Sequence, residues 1–218
     1  QISQKEVWDS IADTWSEYRK DGILVVEEFL KDKKGNVLDL GCGSGRNIYP
    51  IKAKVYGVDF SEKQLENASI KAKNLGVSFQ GVLADAFDLP FNDEFFDSAI
   101  CISTIQCIQS DDDRKEAINE LFRVMKSGGE LMISTWDKSR DIAKGKHEEM
   151  IGFLVDGVSY KRYYYYFTEG EFLKLLTGAG FKIIKVVKDS YTGKDNRIFR
   201  HNIEVYAKKP WILMNLFL

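Results

Sequence analysis

Val37-Leu38-Asp39-Leu40-Gly41-Cys42-Gly43-Ser44-Gly45 is a short apolar strand running into three glycines at alternate positions. Twenty residues after Asp39 a second apolar strand, Val55-Tyr56-Gly57-Val58, ends on another acid, Asp59. Glycine lacks Cβ, so the backbone turns tightly and a ligand can lie directly against it. An acid closing the second strand accepts both ribose hydroxyls of a nucleoside.

The glycine spacing narrows the nucleoside. Dinucleotide folds use G-x-G-x-x-G, which aims a helix N-terminus at a pyrophosphate. Here the pattern is G-x-G-x-G with Asp39 before it. A carboxylate at the mouth of the loop repels a pyrophosphate and attracts an ammonium group. S-adenosylmethionine combines ribose, adenine, a sulfonium and an amino acid, and it suits that pattern. A glycine cluster taken alone reads equally well as a surface turn. Strand, acid, glycines, strand and acid in register make a more specific signal.

The chain has 218 residues, enough for one full core or one domain with an insertion. A hydrophobic content of 44% and a charged content of 29% are ordinary for a soluble globular protein. No apolar run approaches the ~20 residues of a membrane helix, and no basic-then-apolar signal segment opens the sequence. Cys42, Cys101 and Cys107 are an odd number without a C-x-x-C pair. Neither a disulfide framework nor a metal site follows, and a reducing cytoplasm is the expected setting. Residues 1–137 carry 16 Lys+Arg against 24 Asp+Glu, whereas residues 138–218 carry 15 against 9. That basic final third suits a nucleic-acid partner, and a solvated surface of uneven charge accounts for it equally well.

From residue 36 onward strands alternate with helices, which predicts an α/β fold with a mostly parallel sheet and helices on both faces. The strands fall at 36–40, 54–58, 77–82, 97–102, 129–135, 181–188 and 199–207. A helix starts at Ser61, with Gln64 in capping-box position, and stops at Gly76. A second starts in Asp111-Asp112-Asp113, runs along Ala117, Ile118, Leu121, Phe122 and Met125, and ends at Gly128-Gly129. A third covers 168–179. The last two strands are joined only by the turn-rich Asp189 to Asn196, so they are expected to pair antiparallel. The expected organisation is two capping helices within 1–34, a cofactor-binding domain over 35–209 with a lid insertion at 138–166, and an apolar tail at 210–218.

In such a sheet the ligand sits at the carboxyl ends of the strands, near the switch in strand order. Strand 1 then supplies Asp39 and the loop of Gly41, Cys42, Gly43 and Gly45. Strand 2 supplies Asp59, with Phe60 as a flat partner for adenine. After strand 3, Asp85 and Ala86 face the adenine amino group, and strand 4 brings Ser103 to the methionine part. Trp15, Tyr18 and Arg19 of the first helix are expected to close over the cofactor. Plain core explains Phe60, Trp15 and Tyr18 equally well, and Asp85 also reads as a loop acid or helix cap.

The motifs Leu38-Asp39-Leu40-Gly41-Cys42-Gly43-Ser44-Gly45, Gly57-Val58-Asp59-Phe60-Ser61, Phe96-Asp97-Ser98-Ala99 and Lys126-Ser127-Gly128-Gly129-Glu130-Leu131 resemble class I S-adenosylmethionine-dependent methyltransferases along nearly the whole chain. The resemblance implies their seven-stranded Rossmann-like sheet with an antiparallel last strand. The flanks are similar to a narrower subgroup. Trp8-Asp9-Ser10-Ile11-Ala12 with Arg19, then Ile133-Ser134-Thr135-Trp136, then Arg162-Tyr163-Tyr164 before Glu169-Gly170-Glu171-Phe172 resemble tRNA methyltransferases that esterify 5-carboxymethyluridine at the wobble position. Animal relatives of that subgroup carry the domain fused to an AlkB-type hydroxylase. The resemblance implies a tRNA substrate and a small zinc-binding activator subunit as partner. The subgroup has a His-His pair where this chain has Gln106-Cys107.

The chemistry agrees with that subgroup. A carboxylate with a pKa near about 4 is already ionised at neutral pH, so it attacks a sulfonium methyl without a general base. His147 and His201 are the two histidines, and neither lies at a predicted strand end. Arg162 is the expected catalytic residue, gripping a substrate carboxylate or phosphate with its planar fork. Tyr163 to Tyr166 offer stacking faces for unpaired bases, or else form an alternating strand or lid. Lys138, Arg140, Lys144 and Lys146 read as phosphate contacts or as a solvated face. Cys107 is considered as a nucleophile toward a pyrimidine and, alternatively, as a small buried residue. A small-molecule O- or C-methyltransferase acting on a carboxylate or quinone, and a scaffold that binds cofactor without catalysis, are the competing readings.

Overall fold

The computed structural model describes residues 2–140, 143–188, 191–192, 198–199 and 201–211. The apolar tail beyond Trp211 and most of the segment Asp189 to Asn196 lie outside the described residues.

Two helices lead, α1 (Gln4–Tyr18) and α2 (Leu24–Leu30). Then come β1 (Asn36–Leu40), β2 (Lys54–Asp59), α3 (Glu62–Leu75), β3 (Phe79–Leu83), β4 (Phe96–Ile102), α4 (Asp111–Val124) and β5 (Met125–Trp136). The insertion is a hairpin of β6 (Glu148–Val155) and β7 (Val158–Tyr165). After α5 (Glu169–Gly178) follow β8 (Lys182–Lys188), the two-residue pair β9 (Tyr191–Thr192) and β10 (Ile198–Phe199), and β11 (Asn202–Lys208).

Seven strands form one sheet in the order β3-β2-β1-β4-β5-β11-β8. The first five are parallel, and β11 runs antiparallel to both β5 and β8. Parallel strands carry helices on both faces and therefore read as continuous apolar runs. Accordingly, Val37, Leu38, Leu40, Ala99, Ile100 and Cys101 are all fully buried. This is the Rossmann-like methyltransferase sheet expected from the sequence, with its antiparallel last strand between β5 and β8.

Helix ends follow the local chemistry. Ser3 and Glu6 close a capping box on α1, and Thr168 and Glu171 another on α5. Ser61 caps α3 by accepting from the Gln64 N–H, and Gly76 ends that helix in the left-handed region. The side chain of Gln64 does not complete the expected box; its Oε1 accepts from the Ser44 hydroxyl of the glycine loop instead. β5 begins at Met125 rather than 129, because the chain stays extended directly out of α4 and pairs Met125 with Phe96 before the register shifts.

Besides the packing of Trp15 and Tyr18 on Phe153, two polar side chains help clasp α1 to the hairpin. Gln4 accepts from the Tyr163 N–H at 2.8 Å and donates to the Lys161 carbonyl at 3.1 Å, so its side-chain amide behaves like an added backbone unit. The other is Arg162, buried at 5% exposure, with its guanidinium 4.6 Å from the Trp15 ring centroid, 5.1 Å from Phe153, 5.3 Å from Tyr164 and 5.7 Å from Trp8. Cation–π contacts of this kind are worth about 2 kcal/mol or more when desolvated.

Candidate active site

Strand order reverses between β1 and β4, and the cavity lies there, at the carboxyl ends of the parallel strands. Its volume of 860 Å³ lies within the ~300–1,000 Å³ typical of ligand sites. The wall takes Gly41 and Gly43 from the loop after β1, Asp59 and Phe60 from the end of β2, Asp85 and Ala86 beyond β3, and Ser103 after β4. Trp15 and Arg19 of α1 complete the donor end. These nine residues, drawn from five separate segments, line one cavity.

The loop geometry has two fixed points. Gly41 has φ +71°, and a Cβ there would stand 2.1 Å from the Thr104 side chain, whose hydroxyl donates to the Leu40 carbonyl. At Gly45 a Cβ would meet Ile48 at 2.6 Å and the backbone of Ala68 at 3.1 Å, so glycine lets α3 pack against the loop. Gly45 therefore serves packing and does not line the cavity. Asp59 ties loop and helix together, accepting from the Gly43 N–H at 2.9 Å and the Ser61 N–H at 3.0 Å.

Four further expectations shift. Asp39 is 2% exposed and lies below the wall, under the loop. Neither of its oxygens has a hydrogen-bond partner among the described residues. Cys42 turns away from the cavity into an apolar cluster with Ile48, Leu65, Ala68 and Ala72. Tyr18 is 58% exposed and packs on Trp15 and Phe153 outside the wall. Arg162 lies behind the wall, inside its ring of aromatics, and its Nη1 donates to Tyr164 Oη at 2.7 Å. Its position allows it to place Tyr164 but not to touch a ligand in the cavity.

Burial, reinforced by the charge of Asp59, pushes the Asp39 carboxyl up to about 7. Burial also raises Asp59 to about 6, against the pull of the Ser61 and Gly43 N–H groups. Two buried carboxyls, both raised by burial even with the charge of Lys71 acting against it at Asp39, suit a ligand that brings positive charge and hydroxyl donors. S-adenosylmethionine brings both, so the residues fit it: Asp59 for the ribose, Phe60 and Asp85 for adenine, and the glycine loop above Asp39 for the amino-acid end.

The pH dependence follows. Binding a cation requires ionised carboxyls, so cofactor affinity rises with pH between 6 and 8, by about tenfold per unit per carboxyl below its folded pKa. The cofactor-free protein responds oppositely. Both folded pKa values exceed the unfolded ones, so stability from these two groups is full below about 4 and is lost as pH rises through 6 to 7. Calorimetric titration at pH 6, 7 and 8, and thermal melts of the cofactor-free protein at pH 4, 5, 6 and 7, measure the two trends. Affinity that is flat across that window would exclude Asp39 and Asp59 from the charge balance of binding.

At the other end of the cavity stand Gln106, Cys107, Trp136, Arg140, Tyr164 and Asn202. Trp136 and Tyr164 stack with centroids 4.3 Å apart and planes within 12°. Burial pushes the Cys107 thiol up to about 12, which leaves almost no thiolate at neutral pH for attack on a pyrimidine. Neither histidine lines the cavity; His147 contacts Lys138 and Glu171, and His201 contacts Ser139. Asn202 was missed in the sequence because it opens a strand far from any motif.

Residues 38–133 match the methyltransferase domain family. The chain holds an S-adenosylmethionine-dependent methyltransferase domain. Among relatives, it is 28% identical over 208 residues to the tRNA (carboxymethyluridine(34)-5-O)-methyltransferase of Schizosaccharomyces pombe, covering 83% of this chain and 89% of that protein. The Arabidopsis thaliana protein of the same description is 33% identical over 133 residues, 60% of this chain and 31% of that one. The 2-phytyl-1,4-beta-naphthoquinone methyltransferase of the same plant is 31% identical over 168 residues, covering 72% of this chain and 57% of that protein. The chain thus spans less than two thirds of either Arabidopsis relative. Two solved structures share the fold of the methyltransferase domain. One is an S-adenosylmethionine-dependent methyltransferase of Methanosarcina mazei, with TM-score 0.71, 20% identity, and 86% and 97% of the two chains covered. The other is a Haloferax volcanii methyltransferase in complex with the Trm112 methyltransferase activator, with TM-score 0.66, 16% identity, and 95% and 98% covered.

Proposed function

We propose that the domain methylates the carboxylate of 5-carboxymethyluridine at the tRNA wobble position, with a small zinc-binding activator as partner. The observation that carries this reading is the match to a tRNA carboxymethyluridine methyltransferase across 89% of that protein's length. The acceptor end of the cavity supports it, with aromatic faces beside a guanidinium and no histidine in the wall.

When bound, S-adenosylmethionine supplies an electrophilic methyl on its sulfonium. A carboxylate acceptor is anionic at neutral pH, so no proton has to leave and the wall needs no base. The chain's part is then to hold the acceptor oxygen in line and to exclude water. Asp59 and the glycine loop would fix the donor, while Trp136 and Tyr164, stacked on each other, would shape the wall beside Arg140.

The test is transfer of a labelled methyl to bulk tRNA lacking the ester, with and without a Trm112-type activator, followed by digestion to nucleosides. We expect label in a methyl ester of carboxymethyluridine, and mild alkali should release it. Label in a naphthoquinone or another metabolite, with none in tRNA, would instead favour the small-molecule reading that the quinone methyltransferase relative supports.

A further inference from the structure

Arg140 is a guanidinium in the cavity wall with no ion-pair partner among the described residues. It is half-buried in the cavity wall, with its Cζ 4.3 Å from the centroid of Trp136 and its Nη1 donating to Asn202 Oδ1 at 2.9 Å. Both contacts orient the fork without neutralising it. Arg114 and Arg123 behave differently: the former pairs with Asp111, and the latter with Glu120 and Asp93. Among the described residues no carboxylate lies within ion-pair distance of Arg140. The nearby charge is of the same sign, from Arg19, which also lines the cavity. Burial and that like charge both disfavour the protonated guanidinium, and the neighbouring Tyr166 and Tyr164 favour it. A half-buried cation in this setting is satisfied by an anion brought from outside, and planar carboxylates match its fork bidentately.

We propose that Arg140, set over the Trp136 ring and steered by Asn202, is the specificity-determining anchor for the acceptor's carboxylate. The inference rests on the proposed function and assigns to Arg140 the grip that the sequence suggested for Arg162. It has a consequence for turnover. Methylation turns the carboxylate into a neutral ester, which no longer ion-pairs with the guanidinium. The site therefore prefers substrate to product and favours release after transfer. The shared chemistry of carboxylate and phosphate leaves two possible anions, the modified base and the RNA backbone, and a matched pair of RNAs separates them.

The probes are an anticodon stem-loop bearing 5-carboxymethyluridine and the same RNA bearing its methyl ester, titrated in the presence of S-adenosylhomocysteine. The full chain is compared with Arg140→Met and Arg140→Lys, and methylation of the acid RNA is followed in parallel. The wild-type protein is expected to bind the acid RNA on the order of 100-fold more tightly than the ester. Arg140→Met should level the two, Arg140→Lys should recover part of the preference, and cofactor affinity should be unchanged in both. If Arg140→Met keeps the wild-type preference, the anchor is elsewhere. If it weakens both RNAs equally, Arg140 holds a backbone phosphate, and the proposal is again overturned. If the wild-type protein methylates the acid RNA while showing no acid preference, the inference fails and the proposed function stands. If it neither methylates nor prefers the acid RNA, the proposed function itself has failed.

Discussion

Asp59→Ala is expected to lower S-adenosylmethionine affinity by roughly two to four orders of magnitude in a calorimetric titration. Two charge-assisted hydrogen bonds to a ribose diol are worth about 1.5–3 kcal/mol each, and each 1.4 kcal/mol is tenfold in affinity. A second loss acts in the same direction. The carboxylate also accepts from the Gly43 and Ser61 N–H groups, so its removal unties the glycine loop from the start of α3. Circular dichroism should still report a folded protein, because the carboxyl is already raised to about 6 by burial and its loss removes a desolvated acid. Unchanged affinity in a folded variant would mean that the ribose is held elsewhere.

Arg162→Ala is expected to loosen both ends of the cavity. Its guanidinium sits among Trp8 and Trp15 of α1 and Phe153 and Tyr164 of the hairpin, so truncation removes a joint between two elements. A loss of about 3 kcal/mol lowers Tm by roughly 6–12 °C in a domain of this size. Donor Kd and acceptor KM should rise together, because Trp15 lines the donor end and Tyr164 the acceptor end. A rise in acceptor KM alone, with Tm unchanged, would return Arg162 to direct contact with the substrate.

Arg162 also marks where the sequence stopped being legible. The sheet could be read because its signals are local: apolar runs in β1, β2 and β4, glycines at forced turns, and the cap at Ser61. The donor site followed, since the strand ends of a parallel sheet necessarily meet. Depth was not legible. Asp39 near the end of β1 and Cys42 in the loop after it flank the glycine turn, yet Cys42 turns into the cluster around Ala68 and the pleat of β1 sends Asp39 below the wall. Alternation sets that direction, and a shift of one residue reverses it. The hairpin of β6 and β7 was harder still, because side chains in β6 alternate only between exposed and half-buried and leave a weak pattern. Arg140, Trp136 and Asn202 come from segments as far as 66 residues apart, and no spacing rule joins them.

Trp136, Arg140, Tyr164 and Asn202 also share a position relative to the segment that defines the domain family, residues 38–133. All four lie beyond its end, whereas Gly41, Asp59, Asp85 and Ser103 lie within it. Gln106 and Cys107 also line the cavity from within that segment and Trp15 and Arg19 from before it, so the wall draws on the family segment and on the chain at either side of it. Under the proposed function, substitutions at Trp136, Arg140, Tyr164 and Asn202 are expected to alter the acceptor preference while leaving the segment that carries Gly41 and Asp59 unchanged.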